Sequence, residues 1–139
     1  MRKLLGVLVS SVLMIFVVSS FAQETKLIEK KATELKTAKV EVYYFHGTRR
    51  CETCKAVGKV SSELIENEYS DNKDVCFIEV DYDEEGNEAL VEKFEVTSSS
   101  LYVYNHEKII NLTTYAFQYA KTNPDKLRSR LKTLINKNL

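Results

Sequence analysis

The sequence predicts an α/β domain with three layers, in which a central mixed β-sheet of about four strands carries helices on both faces. Two observations predict it. In the first half, β-prone segments alternate with helical patterns, and this alternation forces parallel strand pairing. Further along, a three-residue turn joins two β-prone segments, which adds antiparallel strands. The chain has 139 residues, of which 44% are apolar and 29% charged, as expected for one folded domain.

The first 22 residues are expected to lie outside this domain. Arg2-Lys3 precedes an apolar run over 4–18, and Ser19-Ser20-Phe21-Ala22 follows, with small residues at 20 and 22. A charged start, an apolar core and a small-residue exit are typical of a secretory signal peptide, here cut after Ala22. The alternative is an uncleaved anchor helix. In both cases residues 23–139 are expected to be exported, to the periplasm or the medium, and after cleavage we expect no stable membrane insertion.

The charge balance excludes one class of partner. The full chain has 20 basic and 20 acidic residues, and the first 22 residues contain two of the basic ones and none of the acids. A domain this close to neutral has no general electrostatic attraction to nucleic acid or to an anionic membrane. No nucleic-acid partner is therefore expected.

The exported part is predicted to begin with a helix, a strand, a second helix and a second strand. Residues 23–38 show an apolar stripe at helical spacing, and residues 40–45 are β-prone. Residues 51–69 return to helical spacing, although Gly58 lowers the local helix propensity. Residues 75–80 form a short run rich in β-formers, as in a strand that is buried on both faces.

A short helix, a β-hairpin and a last helix complete the predicted order. Residues 87–94 carry the apolar side chains of a short helix. Residues 101–104 and 108–112 are predicted strands that the turn 105–107 connects. Asn123-Pro124 then places a capping residue and a proline where the last helix begins, and the residues that follow form one apolar stripe.

The tight cysteine pair Cys51-x-x-Cys54 is the feature that carries chemistry. It follows a predicted strand and opens the next helix, where unpaired backbone N–H groups and the helix dipole favour a thiolate. Arg49 and Arg50 act in the same direction, while Glu52 opposes them. We therefore expect a lowered pKa for Cys51, the predicted nucleophile, and a more buried Cys54 that resolves a mixed disulfide.

A structural disulfide and a metal site are the alternative uses of this pair. A crosslink that closes four residues removes only about 2 kcal/mol of unfolded-chain entropy, against roughly 3.4 kcal/mol for one between Cys54 and Cys76. Stapling is therefore a poor use of the tight pair. A soft metal, copper(I) or zinc, would be bound by Cys51, Cys54 and His46. Cys76 itself lies in an apolar run and is expected to be a buried, inert thiol.

Over roughly residues 39–139, the chain resembles the thioredoxin superfamily. The resemblance lies in a strand that leads to a CxxC pair at the start of a helix, followed by a β-α-β-β-α order. The resemblance implies a thioredoxin-like fold and a reversible dithiol–disulfide centre without a cofactor. It also implies that Cys51 attacks a disulfide of a partner protein and that Cys54 releases it. A separate thiol would serve as electron donor or acceptor.

Three positions depart from that family. Arg50 stands where thioredoxins have a tryptophan, and the preceding strand has no aspartate, so its part in proton transfer is vacant or falls to His46 or Glu52. Ser99 stands at the place of the family's cis-proline, and we expect a trans loop because a non-proline cis bond costs about 3 kcal/mol. Ser98 and Ser99 are the candidate substrate-binding residues. In the family that proline is thought to keep metals off the thiolates, so its absence favours the metal alternative.

These features together predict an exported thiol–disulfide oxidoreductase that acts on protein disulfides. Cys51 and Cys54 are its expected catalytic residues, and Arg50 and His46 are expected to tune them. A module that binds copper or zinc and a non-catalytic docking protein are the two alternatives.

Overall fold

The computed structural model describes residues 38–139. The predicted signal peptide and nearly all of the predicted helix over 23–38 lie outside this range. Within it, the elements in chain order are β1 (Val40–His46), α1 (Glu52–Glu68), β2 (Val75–Asp81), α2 (Glu88–Lys93), β3 (Ser100–Tyr104), β4 (Ile109–Asn111), α3 (Thr113–Tyr119) and α4 (Pro124–Asn138). No helix of the described part has both the length and the apolar character to cross a membrane.

The four strands form one mixed sheet in the order β2-β1-β3-β4. The β1–β2 pair is parallel, while β1–β3 and β3–β4 are antiparallel. This confirms the predicted mixed sheet, including the hairpin. The register places Tyr44 opposite Glu79 on one side of β1 and Phe45 opposite Ser100 on the other side.

Strand β1 lies in the middle of the sheet, and all seven of its residues are buried. Because successive side chains of a strand point to opposite faces, β1 serves two cores. Val40, Val42 and Tyr44 pack into the core that α1, α3 and α4 cover. Tyr43 and Phe45 pack into a smaller core on the other face, together with residues at α2 and β3. Helices thus cover both faces, as predicted.

Helix α4 begins where the sequence predicted. The Asn123 side chain accepts a hydrogen bond from the Lys126 backbone N–H, and Pro124 occupies the first helical turn. Its apolar stripe is buried against the main core at Leu127, Leu131, Leu134 and Ile135. Packing of this stripe against α1 fixes the helix that carries the cysteine pair.

Two expectations about the elements were wrong. Strand β2 is not buried on both faces, because it lies at the edge of the sheet and only Val75 and Val80 are buried. Cys76 is accordingly half-buried rather than buried. Helix α3 was not predicted, although the buried Leu112, Ala116 and Ala120 recur every four residues there. Its remaining positions are mostly threonine and tyrosine, which are weak helix formers.

Candidate active site

Cys51 is the N-cap residue of α1. Its backbone is extended (φ −72°, ψ 165°), and its sulfur accepts a hydrogen bond from the Cys54 backbone N–H at 3.2 Å. In most helices a serine or aspartate oxygen takes this place. The Cys51 thiol is exposed, so the sulfur is open to a partner while the helix start stabilises it.

Cys54 lies one turn further into α1 and is 9% exposed. All three cysteines of the chain are free thiols in this structure. The sequence predicted this order of exposure, with an open first thiol and a covered second one. An accessible nucleophile beside a shielded thiol is the arrangement that a resolving step needs.

The pKa of the Cys51 thiol lies below its ordinary value. The largest cause is a hydrogen bond from the Cys54 side chain, followed by the backbone N–H groups at the start of α1. Hydrogen bonds to a thiolate favour the charged form. The direction confirms the expectation from the sequence, and so does the contribution of the helix start.

Arg50, which was expected to tune the dithiol, is paired with a carboxylate of the sheet. Its guanidinium binds the carboxylate of Glu79 on β2, and no hydrogen bond joins it to the Cys51 sulfur. His46, at the end of β1, brings its Nε2 to 3.2 Å from the same Glu79 oxygen. Its Nδ1 lies 3.0 Å from the Gly47 carbonyl oxygen, and the imidazole is buried. Sequence reasoning missed Glu79, since only the register of β2 brings it to this place.

Glu52 was the other candidate for proton transfer. Its carboxylate accepts a hydrogen bond from the Lys55 ammonium at 2.9 Å, on the exposed side of α1. This bond lowers the pKa of Glu52. Glu52 is therefore paired with Lys55 on the outside of α1. His46, the other candidate, instead lies next to the Glu79 carboxylate.

Tyr44 supports the cysteine turn from below, and sequence reasoning missed it as well. Its hydroxyl donates a 2.6 Å hydrogen bond to the Cys54 carbonyl. The ring lies so close to α1 that a Cβ added at Gly58 would be 2.8 Å from a ring carbon. Glycine is thus required at position 58 by close approach. A glycine inside an otherwise regular helical pattern was the available signal.

The acidic segment after β2 holds the loop that leads to Cys51. The Thr48 backbone N–H donates to Asp83 Oδ2 at 3.0 Å, and the Thr48 hydroxyl donates to Asp81 Oδ2 at 3.0 Å. A Cβ at Gly47 would lie 2.9 Å from the Asp83 carboxylate. These contacts fix the short connection between β1 and α1, and with it the direction in which Cys51 faces.

The predicted substrate loop lies beside the same end of the sheet. Because Phe45 pairs with Ser100, the loop at Ser98 and Ser99 is adjacent to the end of β1 from which the cysteine loop departs. Residues 38–139 contain no cis peptide bond, in agreement with the expected trans loop. Ser98 is exposed, and its carbonyl accepts a 2.6 Å hydrogen bond from the Ser100 hydroxyl. Ser98 also lines a groove of about 600 Å³ with Thr113 and other residues of α3.

Among the described residues, no third side chain is placed to bind a metal ion together with Cys51 and Cys54. In the part of the chain that the structure describes, no group of three or more His, Cys, Asp or Glu side chains is placed to bind a metal ion. Both ring nitrogens of His46, the expected third ligand, are occupied by Gly47 and Glu79.

The topology now decides the fold. A central strand leads into a helix whose cap is the first cysteine of a CxxC pair, and a parallel strand, a helix, an antiparallel hairpin and a C-terminal helix pack around it. The chain has a thioredoxin-like fold. Helix α3 lies between the hairpin and α4.

Comparison with known proteins adds little beyond this. No family model matches the sequence, and no curated protein matches it. Among solved structures, mitochondrial thioredoxin 3 from Saccharomyces cerevisiae is 23% identical, covers 77% of this chain and 89% of its own, and has a TM-score of 0.47. Thioredoxin from Wuchereria bancrofti is 20% identical (73% and 86% covered, TM-score 0.48), and a malarial protein is 22% identical (73% and 98%, TM-score 0.49).

Two thiols of this thioredoxin-like domain, Cys51 and Cys76, should react with iodoacetamide at different rates. Cys51 is exposed and has a lowered pKa, while burial raises the pKa of Cys76 to about 12. Since only the thiolate reacts, we expect Cys51 to be alkylated before Cys76 at pH 7. Mass spectrometry of peptides at successive times measures the order. Faster labelling of Cys76 than of Cys51 would contradict the site geometry.

Proposed function

We propose that this protein is an exported thiol–disulfide oxidoreductase whose Cys51/Cys54 dithiol reduces, oxidises or exchanges disulfides of partner proteins. The observation that carries the proposal is the Cys51 sulfur at the cap of α1, which is exposed, hydrogen-bonded and lowered in pKa. Cys54 lies one helical turn away and contacts it. A thiolate that is open to solvent beside a second thiol is suited to disulfide exchange.

In the reducing direction, the Cys51 thiolate attacks one sulfur of a partner's disulfide. The partner's S–S bond breaks, a mixed disulfide forms at Cys51, and the departing partner sulfur takes up a proton. Cys54 then loses its proton and attacks the Cys51 sulfur, which releases the second partner thiol and leaves a Cys51–Cys54 disulfide. Two electrons pass from the pair to the partner. Cys54 supplies one of the two protons and solvent supplies the other, because Cys51 starts as the thiolate. A separate thiol donor reduces the Cys51–Cys54 disulfide again. The reverse sequence oxidises a partner.

Three features support a protein substrate over a small molecule bound in a pocket. The nucleophile is on the surface rather than inside a cavity. The loop at Ser98 and Ser99 lies beside the same sheet end and offers backbone and hydroxyl groups to an extended peptide. The start of the sequence has the pattern of a secretory signal, and protein disulfides persist in exported compartments.

The dithiol couple itself is the first thing to test. Purified protein is equilibrated with mixtures of reduced and oxidised glutathione, quenched with acid and analysed by mass spectrometry. We expect one two-electron transition that forms a Cys51–Cys54 disulfide, while Cys76 remains a thiol. A midpoint well above about −270 mV, the value for thioredoxin, would favour an oxidant or isomerase over a reductant.

A Cys54→Ser variant is the matched control for this titration, because it retains Cys51 and loses only the partner thiol. It should show glutathione bound at Cys51 and no internal disulfide. If wild-type protein also fails to form the internal disulfide across the glutathione range, the proposed function is wrong.

A further inference from the structure

The residue before the nucleophile carries a positive charge that is paired with a carboxylate of β2. Arg50 directly precedes Cys51, yet its guanidinium binds the Glu79 carboxylate. Its side chain is only 35% exposed in this position. An arginine side chain at position 50 is long enough to approach the adjacent Cys51 sulfur. Its ion pair with Glu79 therefore determines where the guanidinium lies.

We propose that Glu79 is a positioning residue that holds Arg50 off the Cys51 sulfur and thereby limits the reactivity of the dithiol. This rests on the proposed function, because it concerns the same sulfur. The restraint comes from a strand that is separated by 29 residues from Arg50 in sequence. Glu79 is thus neither part of the cysteine loop nor in contact with the reacting atoms.

The position of the carboxylate suits this role. Glu79 pairs in register with Tyr44, so both side chains lie on the face that α1 covers. One carboxylate oxygen lies 3.7 Å from the place of a Cβ at Gly58, beneath the second turn of α1. From there it receives Arg50 from the loop and His46 from β1. The absence of a side chain at position 58 leaves this space open.

Several titratable and charged groups face this carboxylate. His46 on β1 and Arg50 on the loop contact the carboxylate directly. The Tyr44 hydroxyl on β1 interacts electrostatically with Glu79, Arg50 and the thiols of Cys51 and Cys54 at the start of α1. Arg50 and Glu79 nearly neutralise one another as long as they are paired. Removing Glu79 alone would leave the guanidinium free to approach the Cys51 sulfur, and a nearby cation favours the thiolate.

Four proteins distinguish an effect of Glu79 on the position of Arg50 from an effect of the charge of Glu79 itself. Wild type, Glu79→Gln, Arg50→Gln and the double variant are titrated by thiolate absorbance at 240 nm, and the rate of Cys51 alkylation is measured at pH 6. In Glu79→Gln we expect a lower titration midpoint. If the thiolate fraction rises about tenfold, alkylation accelerates only about threefold, because a more acidic thiol is a weaker nucleophile.

In the Arg50→Gln background, the Glu79→Gln change should accelerate alkylation by less than about 1.5-fold. The guanidinium that Glu79 holds is then absent, so the two residues can no longer be coupled. His46 is present in all four proteins and cancels in the comparison. Glu63→Gln is the matched control, since Glu63 lies on α1, the helix that carries the cysteines, but pairs with Arg128 rather than with Arg50. It should match wild type.

Two results would overturn the proposal. One is a Glu79→Gln protein, folded by circular dichroism, whose Cys51 reacts no faster than in wild type. The other is an equal acceleration with and without Arg50, which would mean that Glu79 acts only through its own charge. Neither readout requires turnover of a partner disulfide. A failure here is therefore distinguishable from a failure of the proposed function, which the glutathione titration reports.

Discussion

Cys54→Ser protein is expected to accumulate a mixed disulfide at Cys51 that wild type does not retain. The exposed thiolate at the cap of α1 still attacks a partner's disulfide, but a serine hydroxyl cannot displace the partner from sulfur. Cys51→Ser should reduce the rate of disulfide exchange to that of the uncatalysed reaction, since the remaining Cys54 is buried. These are the largest functional effects that the structure predicts.

The measurement is capture of linked proteins from an extract of the cells that produce the protein. Cys54→Ser protein is isolated after acid quenching and alkylation, and the linked proteins are separated by non-reducing electrophoresis and released with a dithiol. Cys51→Ser/Cys54→Ser protein is the background control, and Cys76→Ser should behave as wild type because its thiol is half-buried on β2. Conjugates that form equally well without Cys51 would contradict its assignment as nucleophile.

Local sequence patterns were sufficient for most of the fold and for the centre of the site. The position of Cys51 between a β-prone run and a helical pattern predicted its place at the cap, because helix starts depend on a few neighbouring residues. The Asn123-Pro124 start of α4 followed for the same reason. The hairpin followed from its short turn between two β-prone runs.

The features that local sequence patterns did not predict depend on residues distant in sequence. The pairing of Arg50 with Glu79 requires the parallel register of β1 and β2, which no local pattern encodes. The apolar composition of β2 suggested burial on both faces, but its place at the edge of the sheet is decided by the order of all four strands. The hydrogen bond from Tyr44 to the Cys54 carbonyl likewise depends on the placement of α1 above β1, 10 residues further along the chain.

The smaller core, on the face of the sheet that α2 covers, should depend strongly on Phe94. This ring is 3% exposed and lies against four tyrosine and phenylalanine rings, with centroid distances of 4.6–5.6 Å. Phe94→Ala removes these contacts and leaves a cavity that the surrounding rings, fixed on β1 and β3, cannot fill. Losses of about 3–5 kcal/mol are usual for such changes, and we expect this range for the free energy of unfolding in urea.

Two controls make that result specific. Ile109 is 39% exposed, and Ile109→Ala should change the free energy of unfolding by no more than about 0.5 kcal/mol. Alkylation of Cys51 in folded Phe94→Ala protein should proceed at the wild-type rate, because the cysteine turn is supported from the opposite face of the sheet by Tyr44. A Phe94→Ala loss below about 1 kcal/mol would mean that α2 does not close a second core. Slower alkylation would instead show that the two faces are coupled through β1.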